Sequence, residues 1–262
     1  MLIDFHVHVF PDQIAAASID VLQKRSGLTA LTDGTLRDTA EKMDQWGVDR
    51  AVLLNVATRP GQYQTINRAA AEVQNERFVS FGSIHYLDPS PAEIVQGLAD
   101  AGIKGVKLHP DYQDIFIDDP RWFELYDALC QFGLMAVFHT GFDYQSPEKI
   151  HGSPDRCLRV SELFPRLKCV FAHMGGFMMW DDAEALLCER DVYFDTAMCA
   201  GRLESAQAAR MIQKHGAQRV LFGSDCPWQS PKEMFDWVDS LPISTEEKEL
   251  IFFKNAQRLL TR

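Results

Sequence analysis

Short runs of aliphatic and β-branched residues recur along the chain, separated by segments in which apolar residues keep helical spacing. The runs predict eight strands, at Leu2–Val9, Arg50–Val56, Phe78–Ile84, Ile103–His109, Leu134–His139, Lys168–His173, Val192–Thr196 and Arg219–Gly223. One example of helical spacing is a set of apolar residues at i, i+3, i+4 and i+7, namely Trp122, Leu125, Tyr126 and Leu129. Strands that alternate with helices predict a parallel sheet covered by helices, because parallel neighbours need a crossover connection.

Eight strand–helix units in 262 residues are what a closed (β/α)8 barrel requires. An open doubly wound sheet usually has fewer strands and often carries a Gly-rich turn after the first strand, where this chain has Phe10-Pro11-Asp12. No Pro-, Ser- or Gly-rich linker divides the sequence. The pattern therefore predicts an α/β fold, the (β/α)8 TIM barrel, as a single domain over residues 1–262.

Helices are predicted between the strands, at Leu36–Trp46, Thr65–Asn75, Pro91–Ala101, Asp181–Cys188, Leu203–Lys214 and Pro231–Val238. A last helix opens with a capping box at Ser244 and runs to about Leu260. Two connections are longer than the others, Phe10–Gly34 after the first strand and Thr140–Asp155 after the fifth. Both follow strand ends on the face where barrels carry active sites, so we expect them to border the pocket.

Composition and charge narrow the choice of partners. The chain has 26 basic and 37 acidic residues, a net charge of −11, and no basic cluster, which disfavours nucleic acid and anionic membranes. No apolar run approaches the ~18 residues of a membrane span. The six cysteines form no C-x-x-C pair, and the first residues show neither the basic nor the long apolar stretch that would predict a signal peptide. We therefore expect a cytoplasmic protein with a small-molecule partner, and the sequence leaves a homo-oligomer open.

The histidines give the strongest indication of chemistry. Six of the eight lie in or at the carboxyl ends of predicted strands: His6, His8, His85, His109, His139 and His173. His6 and His8 are two residues apart on the first strand, so both imidazoles face one side. Asp225 follows the eighth strand. A barrel brings these strand ends together.

This set of residues suits a divalent metal such as zinc. Zinc binds neutral imidazole nitrogens and carboxylate oxygens, and a catalytic site keeps one position open for water. His6, His8, His139 and Asp225 would supply three nitrogens and one oxygen, while His173 lies nearby to take or give a proton at neutral pH. A single strand-end histidine is more often a hydrogen-bonded core residue, but the whole set indicates a metal centre.

Three motifs resemble the amidohydrolase superfamily: Ile3-Asp4-Phe5-His6-Val7-His8, Ala172-His173-Met174-Gly175-Gly176 and Gly223-Ser224-Asp225-Cys226-Pro227. More narrowly they resemble its amidohydrolase-2 branch, which includes aminocarboxymuconate-semialdehyde decarboxylase-like enzymes and several lactonases. The resemblance implies one divalent ion, zinc or manganese, held by His6, His8, His139 and Asp225. It also implies that His173 and Asp225 are the catalytic residues.

Lys107 leaves the number of metal ions open. It shares a strand face with His109, and binuclear members of the superfamily carry a carboxylated lysine on strand four that bridges two ions. Alternatively, Lys107 pairs with a substrate carboxylate, with Asp4 or with Asp225. We favour one metal, because the amidohydrolase-2 branch mostly uses one.

Further residues are candidates for substrate binding. His85 and His109 either contact substrate from the rim or hydrogen-bond a neighbouring loop, and Arg59 lies on the rim. Trp180 is a candidate because the branch often carries a tryptophan shortly after its His-x-Gly-Gly motif.

Three more polar residues have alternative interpretations. Asp195 is either a helix cap or a pocket carboxylate. Asp4 is a partner behind the metal or, as we favour, a member of an ion pair at the barrel bottom. His215 is interpreted as a cap at a helix end.

The leading functional hypothesis is a metal-dependent hydrolase that cleaves a lactone, amide or ester bond of a small carboxylated molecule. The alternative is a nonoxidative decarboxylase, for which Arg59 and Lys107 are the obvious cations to hold a carboxylate. Two less favoured hypotheses are a TatD-type nuclease and a non-catalytic metal-binding barrel. The acidic charge argues against the nuclease, and the presence of His173 and Asp225 beyond a minimal ligand set argues against a structural site.

Overall fold

The computed structural model describes residues 1–261 as eight strands that alternate with helices. The strands are β1 Ile3–Val7, β2 Arg50–Leu54, β3 Phe78–Phe81, β4 Gly105–Leu108, β5 Met135–Phe138, β6 Lys168–Phe171, β7 Tyr193–Asp195 and β8 Val220–Leu221. The helices are α1 Asp12–Ser26, α2 Leu36–Trp46, α3 Tyr63–Val73, α4 Pro91–Asp100, α5 Pro110–Gln113, α6 Phe123–Phe132, α7 Pro154–Leu163, α8 Trp180–Leu186, α9 Ser205–His215, α10 Pro231–Ser240, α11 Thr245–Glu249 and α12 Asn255–Leu260. A π-helical turn, Leu250–Lys254, joins the last two.

The strands pair in parallel in the order β1-β2-β3 and β4-β5-β6-β7-β8. Backbone hydrogen bonds cross both seams between these groups. Phe5 N of β1 donates at 2.8 Å to the O atom of Phe222, the residue after β8, and Lys107 N of β4 donates at 2.9 Å to the O atom of Gly82, the residue after β3. The arrangement confirms the predicted (β/α)8 TIM barrel.

The connection predicted over Phe10–Gly34 contains a helix, α1, which the sequence pattern did not reveal. Only Ala15 and Ile19 of this helix are buried, so its apolar periodicity is weak. Its end is well marked, because Gly27 adopts a left-handed conformation and its N–H donates to Gln23 O. The second long connection, which follows β5, carries no regular helix before α7 begins at Pro154.

Two apolar layers build the barrel. One lies between strands and outer helices, and the other fills the interior with side chains such as Phe5, Val52 and Val137. The interior layer includes Ala256 and Leu259 of α12, which therefore closes one end of the barrel. Within residues 1–261, none of the helices combines the length and the apolar character needed to cross a membrane.

A bulge in β1 interrupts the alternation of its side chains. Asp4 pairs with Ala51 and Val7 pairs with Leu53, so that Phe5 and His6 together oppose a single residue of β2. Phe5 belongs to the interior layer and Val7 to the outer one. The extra residue lets His6 face the interior together with Phe5.

Candidate metal centre

Three side chains from β1 and the turn after β8 converge at one end of the barrel. His6 Nε2 lies 3.2 Å from His8 Nε2. Asp225 Oδ1 lies 3.5 Å from His6 Nε2 and 3.1 Å from His8 Nε2. Ligands about 2.1 Å from a tetrahedral ion are separated by about 3.4 Å, so these three atoms fit around one divalent cation.

Both imidazoles of this cluster are anchored through their other nitrogen. His6 Nδ1 donates to Asp195 Oδ2 at 2.8 Å, and His8 Nδ1 donates to Leu54 O at 2.8 Å. Because carboxylate and carbonyl oxygens only accept, each Nδ1 carries the hydrogen and each Nε2 keeps its lone pair. Such partners fix the tautomer and the ring orientation of metal-binding histidines.

Asp4 holds the turn that carries Asp225. Its Oδ1 accepts the backbone N–H groups of His6 at 3.1 Å and Ser224 at 3.0 Å, and its Oδ2 accepts the Ser224 hydroxyl at 2.5 Å. Burial raises the pKa of Asp4 to about 7. The ion pair that we expected for Asp4 is therefore wrong, since all these partners are neutral. Gly223 permits the approach of the two strands, because an added Cβ would lie 2.9 Å from His6 Cβ.

Lys107 extends from β4 into the same cluster. Its Nζ lies 3.3 Å from His6 Nε2, and its side chain is fully buried. Burial lowers the pKa of Lys107 to about 8, and the carboxylates of Asp195 and Asp225 oppose that effect. In its protonated form, the Lys107 ammonium group is thus a cation next to the three proposed ligands.

His173 and His139 face each other beside this cluster. His173 Nε2 lies 3.0 Å from His139 Nδ1. The outer nitrogens face carbonyl oxygens, with His173 Nδ1 at 3.0 Å from Ala197 O and His139 Nε2 at 3.3 Å from Phe142 O. When His173 Nδ1 and His139 Nε2 both donate to these carbonyl oxygens, the two inner nitrogens, His173 Nε2 and His139 Nδ1, point lone pairs at each other. These two atoms then need one shared proton or one shared cation.

The structure places His139 outside the group formed by His6, His8 and Asp225. The ring of His173 lies 5.3 Å from that of His6 and 4.8 Å from that of His139, centroid to centroid. His139 therefore adjoins the three ligands through His173, and its role as a fourth ligand stays a prediction. Burial and the neighbouring His139 lower the pKa of His173 to about 4.

A second group of ligand-type residues consists of His109, His139 and Asp143. Asp143 Oδ2 lies 3.8 Å from His109 Nε2 and 3.6 Å from His139 Nε2. The two rings stack in parallel, with centroids 4.3 Å apart and an interplanar angle of 6°. Burial raises the pKa of Asp143 to about 7. Asp143 follows His139 by four residues in the long connection after β5 and was not among the predicted site residues.

The remaining predicted residues lie in different surroundings. His85 Nδ1 accepts Leu87 N at 3.2 Å, which matches the loop alternative, while Arg59 is exposed. Trp180 is buried, and its Nε1 donates to His173 O at 3.0 Å. His215 is no cap: it is buried, and its Nε2 donates to Val192 O at 2.9 Å.

Solved structures share this fold. An uncharacterized TIM-barrel protein from Bordetella bronchiseptica is 22% identical, with 99% of this chain and 98% of that chain covered and a TM-score of 0.80. A 5-carboxyvanillate decarboxylase from Sphingomonas paucimobilis is 19% identical, with 99% and 98% covered and a TM-score of 0.69. A dihydroxybenzoic acid decarboxylase from a Polaromonas species, with bound manganese and 2-nitroresorcinol, is 16% identical, with 99% and 96% covered and a TM-score of 0.74. At these identities the likeness establishes the fold.

A search of curated proteins finds no match to the chain. A family model described as amidohydrolase, of the amidohydrolase-2 type, matches residues 3–262. The match includes all three motifs and nearly the whole length. The chain therefore belongs to the amidohydrolase family.

Proposed function

We propose that this protein is a metal-dependent nonoxidative decarboxylase that acts on a small aromatic carboxylic acid. The two named relatives described above are decarboxylases of such acids, and one of them carries manganese. This ranks decarboxylation, the alternative in the sequence analysis, above hydrolysis. The metal is a divalent cation, manganese or zinc, with His6, His8 and Asp225 as ligands. His139, whose Nδ1 faces His173, serves proton delivery in this proposal and not the fourth ligand position.

The observation that carries this proposal is the position of Lys107. A decarboxylase has to hold an anionic carboxylate, and the Lys107 amine lies 3.3 Å from His6 Nε2. Arg59, the other cation considered, is exposed. Lys107 therefore binds the substrate carboxylate, while the metal ion, when bound, acts as a Lewis acid on substrate oxygen atoms.

The reaction needs one proton. The bond between the ring carbon and the carboxylate breaks, carbon dioxide leaves, and the electron pair that stays on the ring carbon takes up the proton. His173 and His139 are the residues to deliver it, because a proton shared between His173 Nε2 and His139 Nδ1 belongs to a buried pair whose pKa values are lowered by burial. Such a proton is readily given up.

The test is carbon dioxide release by the purified protein, loaded with Mn²⁺ or Zn²⁺, from a panel of hydroxybenzoates and aliphatic carboxylates. We expect release from hydroxybenzoates and its loss in Lys107→Met with the metal still bound. Lactones, amides and esters form the second arm of the panel. Hydrolysis of these without carbon dioxide release from any carboxylate would overturn the proposal.

Hydrolysis is a second candidate because of the paired histidines. A cation shared by His139 and His173, bridged to the first ion by a carboxylated Lys107, would make the site binuclear and leave no amine to bind a carboxylate. The lowered pKa of Lys107, about 8, favours the free amine that carboxylation requires. Two ions per chain in bicarbonate buffer, together with lactone turnover, would select this candidate, whereas one ion per chain selects the decarboxylase.

A further inference from the structure

Asp195, at the end of β7, touches two parts of the site with one carboxylate. Its Oδ2 accepts His6 Nδ1 at 2.8 Å. Its Oδ1 accepts the backbone N–H of His173 at 2.9 Å and that of Ala197 at 3.1 Å. The side chain is fully buried. The proposed metal ligand His6 and the proposed proton carrier His173 are therefore connected by a single group.

The backbone around His173 needs such support. His173 and Met174 have φ values of 59° and 55°, in the left-handed region that non-glycine residues rarely adopt. The hydrogen bond from His173 N to Asp195 and the bond from Trp180 Nε1 to His173 O hold both sides of this residue. The orientation of the His173 ring thus depends on Asp195 through the main chain.

We propose that Asp195 is a positioning residue that sets the tautomer of His6 for metal binding and fixes the backbone of His173. The proposal rests on the metal site proposed above. Because both backbone N–H groups bind Oδ1, rotation of the carboxyl group is fixed. Oδ2 therefore always faces His6 Nδ1, which must carry the hydrogen and leave the Nε2 lone pair for the metal.

The substitution Asp195→Asn tests this directly. The backbone N–H groups of His173 and Ala197 keep the oxygen of the new side-chain amide at the Oδ1 position, so the NH₂ group of that amide faces His6 Nδ1. The ring then has to accept at Nδ1 and carry its hydrogen on Nε2, the atom proposed to bind the metal. We expect the affinity for Mn²⁺ and Zn²⁺ to fall by about 10- to 100-fold, as for other losses of such a partner.

Asp4→Asn is the matched control. Asp4 is equally buried, also binds two backbone N–H groups through Oδ1, and is likewise next to His6 in the fold. Its Oδ2, however, faces the Ser224 hydroxyl, which can rotate to accept from an amide. We therefore expect Asp4→Asn to leave the tautomer of His6 unchanged and to lose much less affinity for both metals than Asp195→Asn. Equal losses in the two variants would show a general effect of removing a buried charge and would overturn the proposal, as would wild-type affinity in Asp195→Asn.

A second measurement does not depend on the folding of a variant. In the metal-free wild-type protein labelled with ¹⁵N-histidine, the ring resonances of His6 report its tautomer, with assignment by His6→Gln. We expect hydrogen on Nδ1, and hydrogen on Nε2 would overturn the proposal. If the wild-type protein shows this tautomer but binds neither metal, the proposed function fails while the positioning role of Asp195 stands.

Discussion

Two groups of ligand-type side chains lie at the same end of this barrel and differ in how their nitrogens are directed. In the first, His6 and His8 meet at an interplanar angle of 73°, with Nε2 atoms 3.2 Å apart. In the second, His109 and His139 stack face to face at 6°. Lone pairs lie in the ring plane, so those of stacked rings run parallel and do not meet at one ion.

The partners of the rings separate the two groups further. Both Nδ1 atoms of the first group donate to protein oxygens, whereas His109 Nδ1 is buried with no hydrogen-bond partner in residues 1–261. His139 Nε2, the atom nearest Asp143, faces Phe142 O. The comparison shows that residue type alone does not define a metal site, and that the direction and anchoring of each nitrogen do.

The largest expected effect on metal binding comes from truncating the carboxylate of each group to alanine. Asp225→Ala removes an oxygen that converges with two lone pairs, so we expect the affinity for Mn²⁺ or Zn²⁺ to fall by at least about 100-fold. Asp143→Ala removes a carboxylate from a group whose nitrogens do not converge, and metal binding should be unchanged. Titration calorimetry and metal content per chain measure both. Loss of metal in Asp143→Ala would place an ion in the second group.

A second effect concerns catalysis by the histidine that lies between the groups, His173. His173→Gln removes the group assigned to proton delivery, and we expect kcat for carbon dioxide release to fall by about 10²- to 10⁴-fold with metal content retained. His109→Gln is the matched substitution in the second group and should change kcat much less. If metal content drops in His173→Gln, the inner nitrogens of His173 and His139 share a cation rather than a proton.

A third effect concerns stability, and it uses a buried imidazole outside both groups, His215, as a reference. Burial lowers the pKa of His215 to about 4 from 6.5, so the unfolded chain takes up the proton first as the pH falls. Stability from this residue is complete above pH 6.5, declines between pH 6.5 and 4, and is lost below pH 4. The loss amounts to about 3 kcal/mol.

Chemical denaturation in chelator between pH 7 and pH 4.5 measures this loss, with His215→Gln for comparison. We expect the variant to lose less free energy of unfolding on acidification than the wild-type protein. The acid loss that remains in the variant then belongs to the other titrating groups, including those of the two clusters. Parallel pH profiles for the two proteins would contradict the assignment.

Most of the barrel could be predicted from the sequence, because its strands are apolar runs and its helices carry an apolar stripe. The helix α1 was missed because it buries only two side chains and so lacks that stripe. The family and the residues His6, His8 and Asp225 were also accessible, since a barrel brings strand ends to one place. Their convergence is now seen in the distances between them.

The partners of these residues were harder to predict. The sequence allowed Asp195 to be either a helix cap or a pocket carboxylate, and it favoured an ion pair for Asp4. Spacing along a chain does not tell which hydrogen-bond donors a buried carboxylate meets. Asp143 lies in a connection without regular structure, where no periodicity applies. The face of His6 was predicted from alternation, yet it depends on a bulge that alternation does not contain.

That bulge has a consequence for transplanting the site into another barrel. In a regular strand that keeps Phe5 inward, His6 and His8 would both point outward, so copying the two histidines and the aspartate onto such a β1 would turn both imidazoles toward the outer helices. The additional residue of β1 has to be copied as well. A designer should therefore treat the irregular backbone, together with Gly223, which makes room beside it, as part of the metal-binding motif.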